Sequence, residues 1–522
     1  MISRLIVDHS ASRQQRRRET VIGTIDLAVL AAYLAGVVAL GVWIGRGQRS
    51  LDTFLLGDRN LPWWAILGSI VATETSTATF LSVPGLAFAR DGGDLRFLQL
   101  SLGYIAGRAM IVVLLLPHFF RGELYSAYEV LAFRFGGAVK RTASLVFLAT
   151  RNLGDGLRLF LTAIILVKWL GRPLPECVVV VGIVTIVYTT MGGMKSVVWN
   201  DCLQLAIYLV GGVFAGVVIV DRVGGWTSAS AFAAAEGKLR MFDFRFTASE
   251  PFTFWAGLVG GMFLTLGTHG TDQMMVQRLL CARSRRDASV ALVASGFFVF
   301  AQFLLFLLLG VGLSCFYADV VPPRTFPSND HVFATFIIEE MPRDVGAIGL
   351  MLAAILAAAM STTASSLNSS AGAVVNDFLS RVSAEAPASG SDRSTNPHPR
   401  RSGAKSVVTT RVLTVAFGVV QIAIGIMAER LSTSVVNNAL AIAGFSSGLL
   451  LGVFLLGVLT QRVDQRAALA GLVAGLAALL VVKFVAPRYG VVVAWPWFAV
   501  IGSTVTYAAG LAASFRPGRA SP

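Results

Sequence analysis

The sequence predicts an all-α integral membrane protein with about 13 transmembrane helices, each needing roughly 20 apolar residues to cross the hydrocarbon core. Three observations predict it. Of 522 residues, 55% are apolar and only 14% charged, against about 25% charged in soluble domains. The mean hydropathy is +0.71. The apolar residues fall into long runs separated by basic loops. A water-soluble enzyme, a disordered chain and a disulfide scaffold are thereby excluded. Cys177, Cys202, Cys281 and Cys315 form no CxxC pair, which argues against a zinc, iron–sulfur or redox centre. The net charge of +14 sits mostly in the loops. It is better explained by topology and anionic headgroups than by nucleic acid.

Taken in order, the expected spans are 22–45, 62–89, 95–117, 142–169, 174–192, 198–220, 252–277, 289–317, 345–377, 407–428, 433–459, 466–486 and 494–515. A basic tail, 1–21, precedes them, and 516–522 follows. Gly, Pro, Ser and Thr cluster at mid-membrane depth in 72–85, 265–273, 358–370 and 444–448. Simple anchors do not need such clusters. They suit helices that bend or unwind around a cavity, where polar backbone is tolerated in a bilayer. The Ser/Pro/Arg-rich stretch 380–405 reads as a flexible cytoplasmic loop.

With the N-terminus outside and the C-terminus inside, about 22 Lys and Arg fall in cytoplasmic loops and about 13 in outer ones, as the positive-inside tendency requires. Arg13, Arg16, Arg17 and Arg18 in the tail run against it. Residues 1–20 lack the features of a signal peptide. No phosphate loop, GxGxxG after a strand, HExxH or Ser/His/Asp arrangement occurs, so no enzyme is expected.

Two stripes carry the chemistry. Ala72, Thr75, Ser76 and Thr79 share one helical face, and Ala358, Ser361, Thr362 and Ser365 repeat the spacing. Such stripes can serve close helix packing. They can also hold a small hard cation, which prefers oxygen ligands. Their occurrence twice favours the cation. Ionisable residues inside spans are the second signal: Glu74, Arg151, Asp155, Arg158 and Asp201. Asp155 and Arg158 could form a local ion pair. Asp201 reads either as a functional carboxylate or as an interfacial residue at a helix start.

Six strings resemble those of the sodium:solute symporter family. They are FLLGDRNLPWW (54–64), SAYEVLAFRFG (126–136), YTTMGGMKSVVWNDCLQ (188–204), TDQMMVQRLLCARS (271–284), AMSTTASSLNS (359–369) and GFSSGLLLGVFLLG (444–457). The resemblance covers roughly residues 25–485. It implies a LeuT-like fold of two inverted five-helix repeats. The extra N-terminal helix is then 22–45, the core 62–459, and two C-terminal helices occupy 466–515.

The resemblance also implies site residues. A principal sodium site maps to the carbonyls of Ala72, Thr75 and Ala358 and the hydroxyls of Ser361 and Thr362. A second cation would use Asp201, Ser361 and Ser365, although Ala364 stands where relatives with that site often have a hydroxyl. The substrate-facing set is Glu74, Ser76, Thr79, Gln99, Arg151, Thr268, His269 and Asn438. Arg151 matches the arginine that pairs with carboxylate in acid-binding relatives. The lysine of sugar carriers is missing from 296–306, and their glutamine falls near Leu440. Thr268 and His269 replace their gating aromatic. His269 could contact ligand, carry a proton or be an ordinary buried imidazole.

The expected protein is therefore a sodium-coupled symporter importing a small carboxylate-bearing anion by alternating access. It needs no cofactor beyond Na⁺ as coupling ion and no other metal, and acts as a monomer in the plasma or inner membrane, with a small-molecule substrate and no nucleic acid. The alternatives are a proton-coupled, sugar, polyol or amino-acid carrier of the same fold, or a transporter-like sensor. With only 516–522 after the last span, no signalling module is expected.

Overall fold

The computed structural model describes residues 23–46, 50–89, 92–121, 124–318, 325–326, 328–379, 404–428 and 435–515. The basic tail, nearly all of the loop 380–405 and the tail 516–522 lie outside the described residues, as does the side chain of Asn438.

Each expected span has a helical counterpart. The first is α1 (Thr24–Gly45). The second is split into α2 (Trp63–Glu74) and α3 (Thr77–Phe88). Then come α4 (Leu98–Leu114), a short α5 (Glu129–Phe135) and α6 (Gly137–Leu170). The spans expected at 174–192 and 198–220 are two helical segments that meet at Gly193 within the continuous stretch α7 (Leu174–Arg222). Gly193 has φ 53° and ψ −164°, a backbone state that side chains oppose and glycine allows. The expected span 252–277 is corrected. A π turn (Ala256–Gly260) runs into α8 (Gly261–Gly270), which stops before a separate short helix, α9 (Gln273–Leu280). Asp272 caps α9 by accepting from the Met274 N–H at 2.8 Å.

Next are α10 (Arg285–Ala318) and α11 (Ala347–Val374), the latter prolonged by a π turn to Leu379. The chain closes with α12 (Ala404–Met427), α13 (Val435–Leu459), α14 (Gln465–Leu480) and α15 (Pro496–Ser514). Among the described residues, 8 helices are long and apolar enough to cross a membrane, and 9 if the bent pair α2–α3 is one span. Helices α4 and α6 fall outside that set: α4 is shorter, and α6 carries charges along its length.

The polar clusters behave differently from one another. The first breaks its helix, and the third broken-looking stretch, 358–370, stays helical within α11. So does 444–448 within α13. The small Ser/Thr side chains of α11 also allow close packing: 94% of its most apolar window is buried, with α1, α6, α7 and α12 around it. Small side chains let four neighbours close on one helix without voids. Helices α4 and α8 meet almost backbone to backbone. A Cβ added at Gly107 would lie 2.7 Å from the Met262 carbonyl, and one at Gly103 2.3 Å from that of Gly257.

Candidate functional site: a broken helix against a hydroxyl-rich one

Helix α2 ends where TETSTAT begins. Short hydroxyl side chains compete for backbone hydrogen bonds and weaken a helix. Thr75 (φ −80°, ψ 105°) and Ser76 (φ −100°, ψ 170°) are extended, and the two halves bend by 62°. The Thr75 hydroxyl turns back to the Val71 carbonyl at 2.9 Å and accepts from Tyr208 (3.0 Å) and Gln302 (2.6 Å). The unwound residues are thus held from α7 and α10.

Helix α11 faces this break. Thr362 donates to the Thr73 carbonyl at 3.0 Å, and the Ala358 carbonyl lies 3.5 Å from the same hydroxyl. Ser361 donates to Asp201 at 2.6 Å. Ala72, Thr75, Ala358, Ser361 and Thr362 are each at most 2% exposed. Residues more than 280 positions apart are brought together in a place closed to bulk water. Carbonyls and hydroxyls there are a donor set for a small cation.

Asp201 lies about two turns past the Gly193 kink, inside the second segment of α7, and is 1% exposed. The reading of an interfacial residue at a helix start is therefore wrong. Its carboxylate accepts from Ser69 at 2.5 Å and pairs with Arg278 at 3.1 Å. Arg278 also donates to the Ser69 and Thr73 hydroxyls (2.8 and 2.5 Å), to the Met274 carbonyl (2.7 Å) and to Ser365. A buried charge needs a partner and filled hydrogen bonds, and Asp201 with Arg278 supplies both.

Glu74 closes α2 and ion-pairs with Arg108 of α4. His269 Nε2 lies 3.5 Å from Glu74 and 3.3 Å from Arg108, and His269 Nδ1 shares a hydrogen bond of 2.9 Å with Thr268.

A small cavity of about 40 Å³ opens between α6, α8 and α13, lined by Thr150, Arg151, Gly154, Arg158, Thr268, Asp272 and residues 442, 443, 446 and 447. It has room for water but not for an organic solute, so admission requires side chains to move. Arg151 is held by Asp155 at 2.8 Å and lies 3.7 Å from Asp272. Arg158 also pairs with Asp155, the local pair expected from their spacing. Of the expected substrate set, Arg151 and Thr268 line this cavity. Glu74 and His269 lie behind Thr268, in the Arg108 cluster. Gln99 is elsewhere. Its amide donates to the Arg96 and Phe252 carbonyls (3.1 and 3.0 Å) and accepts from the Asp243 N–H at 3.0 Å, which leaves it committed to backbone. Ser76 and Thr79 flank the helix break, where the Thr79 hydroxyl accepts from the Ser76 N–H at 3.4 Å.

Sequence reasoning missed Arg108, Arg278, Asp272, Tyr208 and Gln302. Arg108 had a signal, a guanidinium in the middle of LGYIAGRAMIVV. Asp272 and Arg278 lie within the string 271–284, and Tyr208 and Gln302 sit in ordinary helical context; all four acquire meaning only from their partners.

Outside the spans, residues 236–254 grip the α3–α4 connection. The Lys238 ammonium donates to the carbonyls of Ala87, Phe88 and Ala89 at 3.2, 3.3 and 2.8 Å, at the end of α3. Hydrogen bonds from Arg245 hold the Asp243 carboxyl well below the usual carboxylate range.

Buried helices broken at mid-depth, a dry oxygen cluster and a cationic cavity define a membrane carrier that moves a small solute with a cation. Among the described residues, no group of His, Cys, Asp and Glu suits a bound metal centre. The chain belongs to the sodium:solute symporter family, whose model matches residues 54–475. It is 29% identical over 476 residues to the human sodium/iodide cotransporter, covering 90% of this chain and 71% of that protein. It is 27% identical over 493 residues to the Proteus mirabilis sodium/sialic acid symporter SiaT, covering 94% of each. It is 28% identical to the bovine sodium-coupled monocarboxylate transporter 2, over 86% of this chain and 71% of that protein. A solved structure of a Na⁺-coupled sialic acid symporter in a substrate-bound outward-open state superposes with TM-score 0.81 at 26% identity, over 94% of this chain and 98% of that one. The nucleobase-cation-symport-1 transporter Mhp1 shares the fold at TM-score 0.57 and 13% identity, over 90% and 94%. The chain is thus a multi-pass LeuT-like symporter and not an enzyme.

Proposed function

We propose that this symporter couples one sodium ion to the uptake of a small carboxylate-bearing anion. The ion would bind the carbonyls of Ala72, Thr75 and Ala358 and the hydroxyls of Ser361 and Thr362. The observation that carries this reading is the 3.0 Å contact from Thr362 across to Thr73, at the end of a helix that has just unwound. Sodium would bridge the two helices there and favour the state open to substrate. Coupling requires that it bind that state better than the others.

A second cation at Asp201, Ser361 and Ser365 would have to share its oxygens with the Arg278 guanidinium, which bonds both Asp201 and Ser365. One sodium per cycle is therefore the reading adopted. Arg151 and Arg158 on the cavity wall support an anionic substrate, because an arginine fork matches a carboxylate. The names of the sialic acid and monocarboxylate relatives agree with it. Ser76, Thr79, Thr268 and Asn438 remain proposed polar contacts. The carrier is proposed to act as a monomer in the plasma or inner membrane, N-terminus outside and C-terminus inside.

The test is uptake into proteoliposomes, with the substrate first found by thermal shift against small acids, sugars, vitamins and halides, with and without sodium. Ser361→Ala with Thr362→Ala should abolish sodium-dependent uptake while the protein still inserts. Sodium dependence unchanged in that variant removes the assignment.

A further inference from the structure

Helices α2, α4, α8 and α10 each place one side chain in a single buried cluster. Arg108 of α4, fully buried, pairs with Glu74 of α2, donates to Ser295 of α10 at 2.8 Å and lies 3.3 Å from His269 of α8. Glu74 is the last helical residue before the Thr75–Ser76 break. His269 precedes the end of α8 and is bonded at 2.9 Å to Thr268, which forms part of the cavity wall. One guanidinium therefore touches the residue beside each of the two helix breaks.

We propose that Arg108, with Glu74 and His269, is a positioning residue that couples the break at Thr75–Ser76 to the cavity wall at Thr268, so that sodium at the first resets the second.

The proposal rests on the sodium site proposed above. Its physical basis is the guanidinium itself, a planar fork whose donors keep fixed directions. A shift of Glu74 cannot be followed without disturbing the contacts to Ser295 and His269. Parting from Arg108 would leave Glu74 a poorly compensated buried charge, so the pair persists through the movement. On the other side, α4 and α8 are locked backbone to backbone at Gly103 and Gly107. The unwound end of α2, held by side-chain hydrogen bonds from Tyr208, Gln302 and Thr362 rather than by backbone contact, is the more compliant element, and Glu74 is its handle.

The test needs no identified substrate. Ser446, on the α13 wall of the cavity, is replaced by Cys, and labelling by a membrane-impermeant thiol reagent is timed in sodium and in choline. The chain without Ser446→Cys supplies the background from the four native cysteines. Sodium binding is read separately as thermal stabilisation. With Glu74 and Arg108 intact, sodium should change the labelling rate about fivefold or more, the usual scale of allosteric coupling. In Glu74→Gln/Arg108→Gln, which removes both charges together, sodium should still stabilise the protein while the labelling rate changes by less than about twofold. A merely structural role would lower thermal stability and leave the sodium ratio intact. Sodium-dependent labelling retained in the double variant overturns the proposal. If that variant does not fold, Arg108→Lys carries the test. It keeps the charge beside Glu74 but lacks the fork, and a sodium ratio equal to the parent's overturns the proposal. Absence of any sodium stabilisation in the parent is a different failure, because it removes the sodium site itself and the coupling with it.

Discussion

Arg278→Met is the most informative single perturbation outside the proposed sodium ligands. The wild-type guanidinium is fully buried and serves Asp201, Ser69, Thr73, Ser365 and the Met274 carbonyl at once. Methionine fills much of the space and supplies no charge. Asp201, 1% exposed, is then left with hydroxyl donors only. Breaking a buried pair by removing one partner costs about 3–5 kcal/mol. Asp201→Asn in the same chain removes the orphaned charge and should return much of that loss. The loss also frees oxygens of Asp201 and Ser365, with Ser361 beside them. Sodium should therefore rescue Arg278→Met more than it stabilises the parent. At 100 times its dissociation constant, one extra bound ion contributes about 2.7 kcal/mol, which offsets half or more of the deficit. The assay is thermal unfolding of purified protein across a sodium series for the parent, Arg278→Met and the double variant. Equal stability of Arg278→Met and the parent in sodium-free buffer would refute the reasoning.

Three further outcomes follow from named contacts. Arg158→Gln removes one cationic fork from the cavity wall while Asp155 keeps Arg151. Apparent affinity for a carboxylate substrate should fall about tenfold or more, since hydrogen bonds to charged groups contribute roughly 1.5–3 kcal/mol; an unchanged KM for uptake would exclude Arg158 from the pocket. Gly107→Val drives a side chain into the Met262 carbonyl and Thr265 of α8, and should lose about 1–3 kcal/mol by overpacking, read as a lowered melting temperature with or without sodium. Asp243, held below its ordinary value of 3.8 by Arg245, contributes stability that is fully present above that value and is lost only as pH falls below it. Hydrogen exchange in residues 236–254 should stay flat from neutral pH down to about pH 5 once corrected for intrinsic rates, and Asp243→Asn should raise it at every pH.

The hydroxyl stripes show what a sequence can say about a site. Ala72, Thr75, Ser361 and Thr362 were marked by periodicity alone, since hydroxyls on one face of an apolar helix are legible without knowing what they face. The outcome of each stripe was not. The one at 72–79 broke its helix and the one at 358–365 did not, although both are largely buried. Gln99 illustrates the converse. The family resemblance implies a ligand contact for it, and the loop 236–254 claims its amide instead. The second segment of α7 begins at the Gly193 kink rather than at 198, which places Asp201 about two turns inside a helix and out of solvent. No local pattern signals that, since a glycine pair reads equally as a turn.

Membrane residence, helical class, approximate spans and family strings were determined by the sequence by itself, because apolar run length and local spacing are one-dimensional quantities. Only the tertiary structure decided which charges neutralise one another. Arg278 with Asp201 and Arg108 with Glu74 are separated by 77 and 34 positions, and their pairing is imposed by burial. Once helices exclude water, a buried charge without its complement is costly.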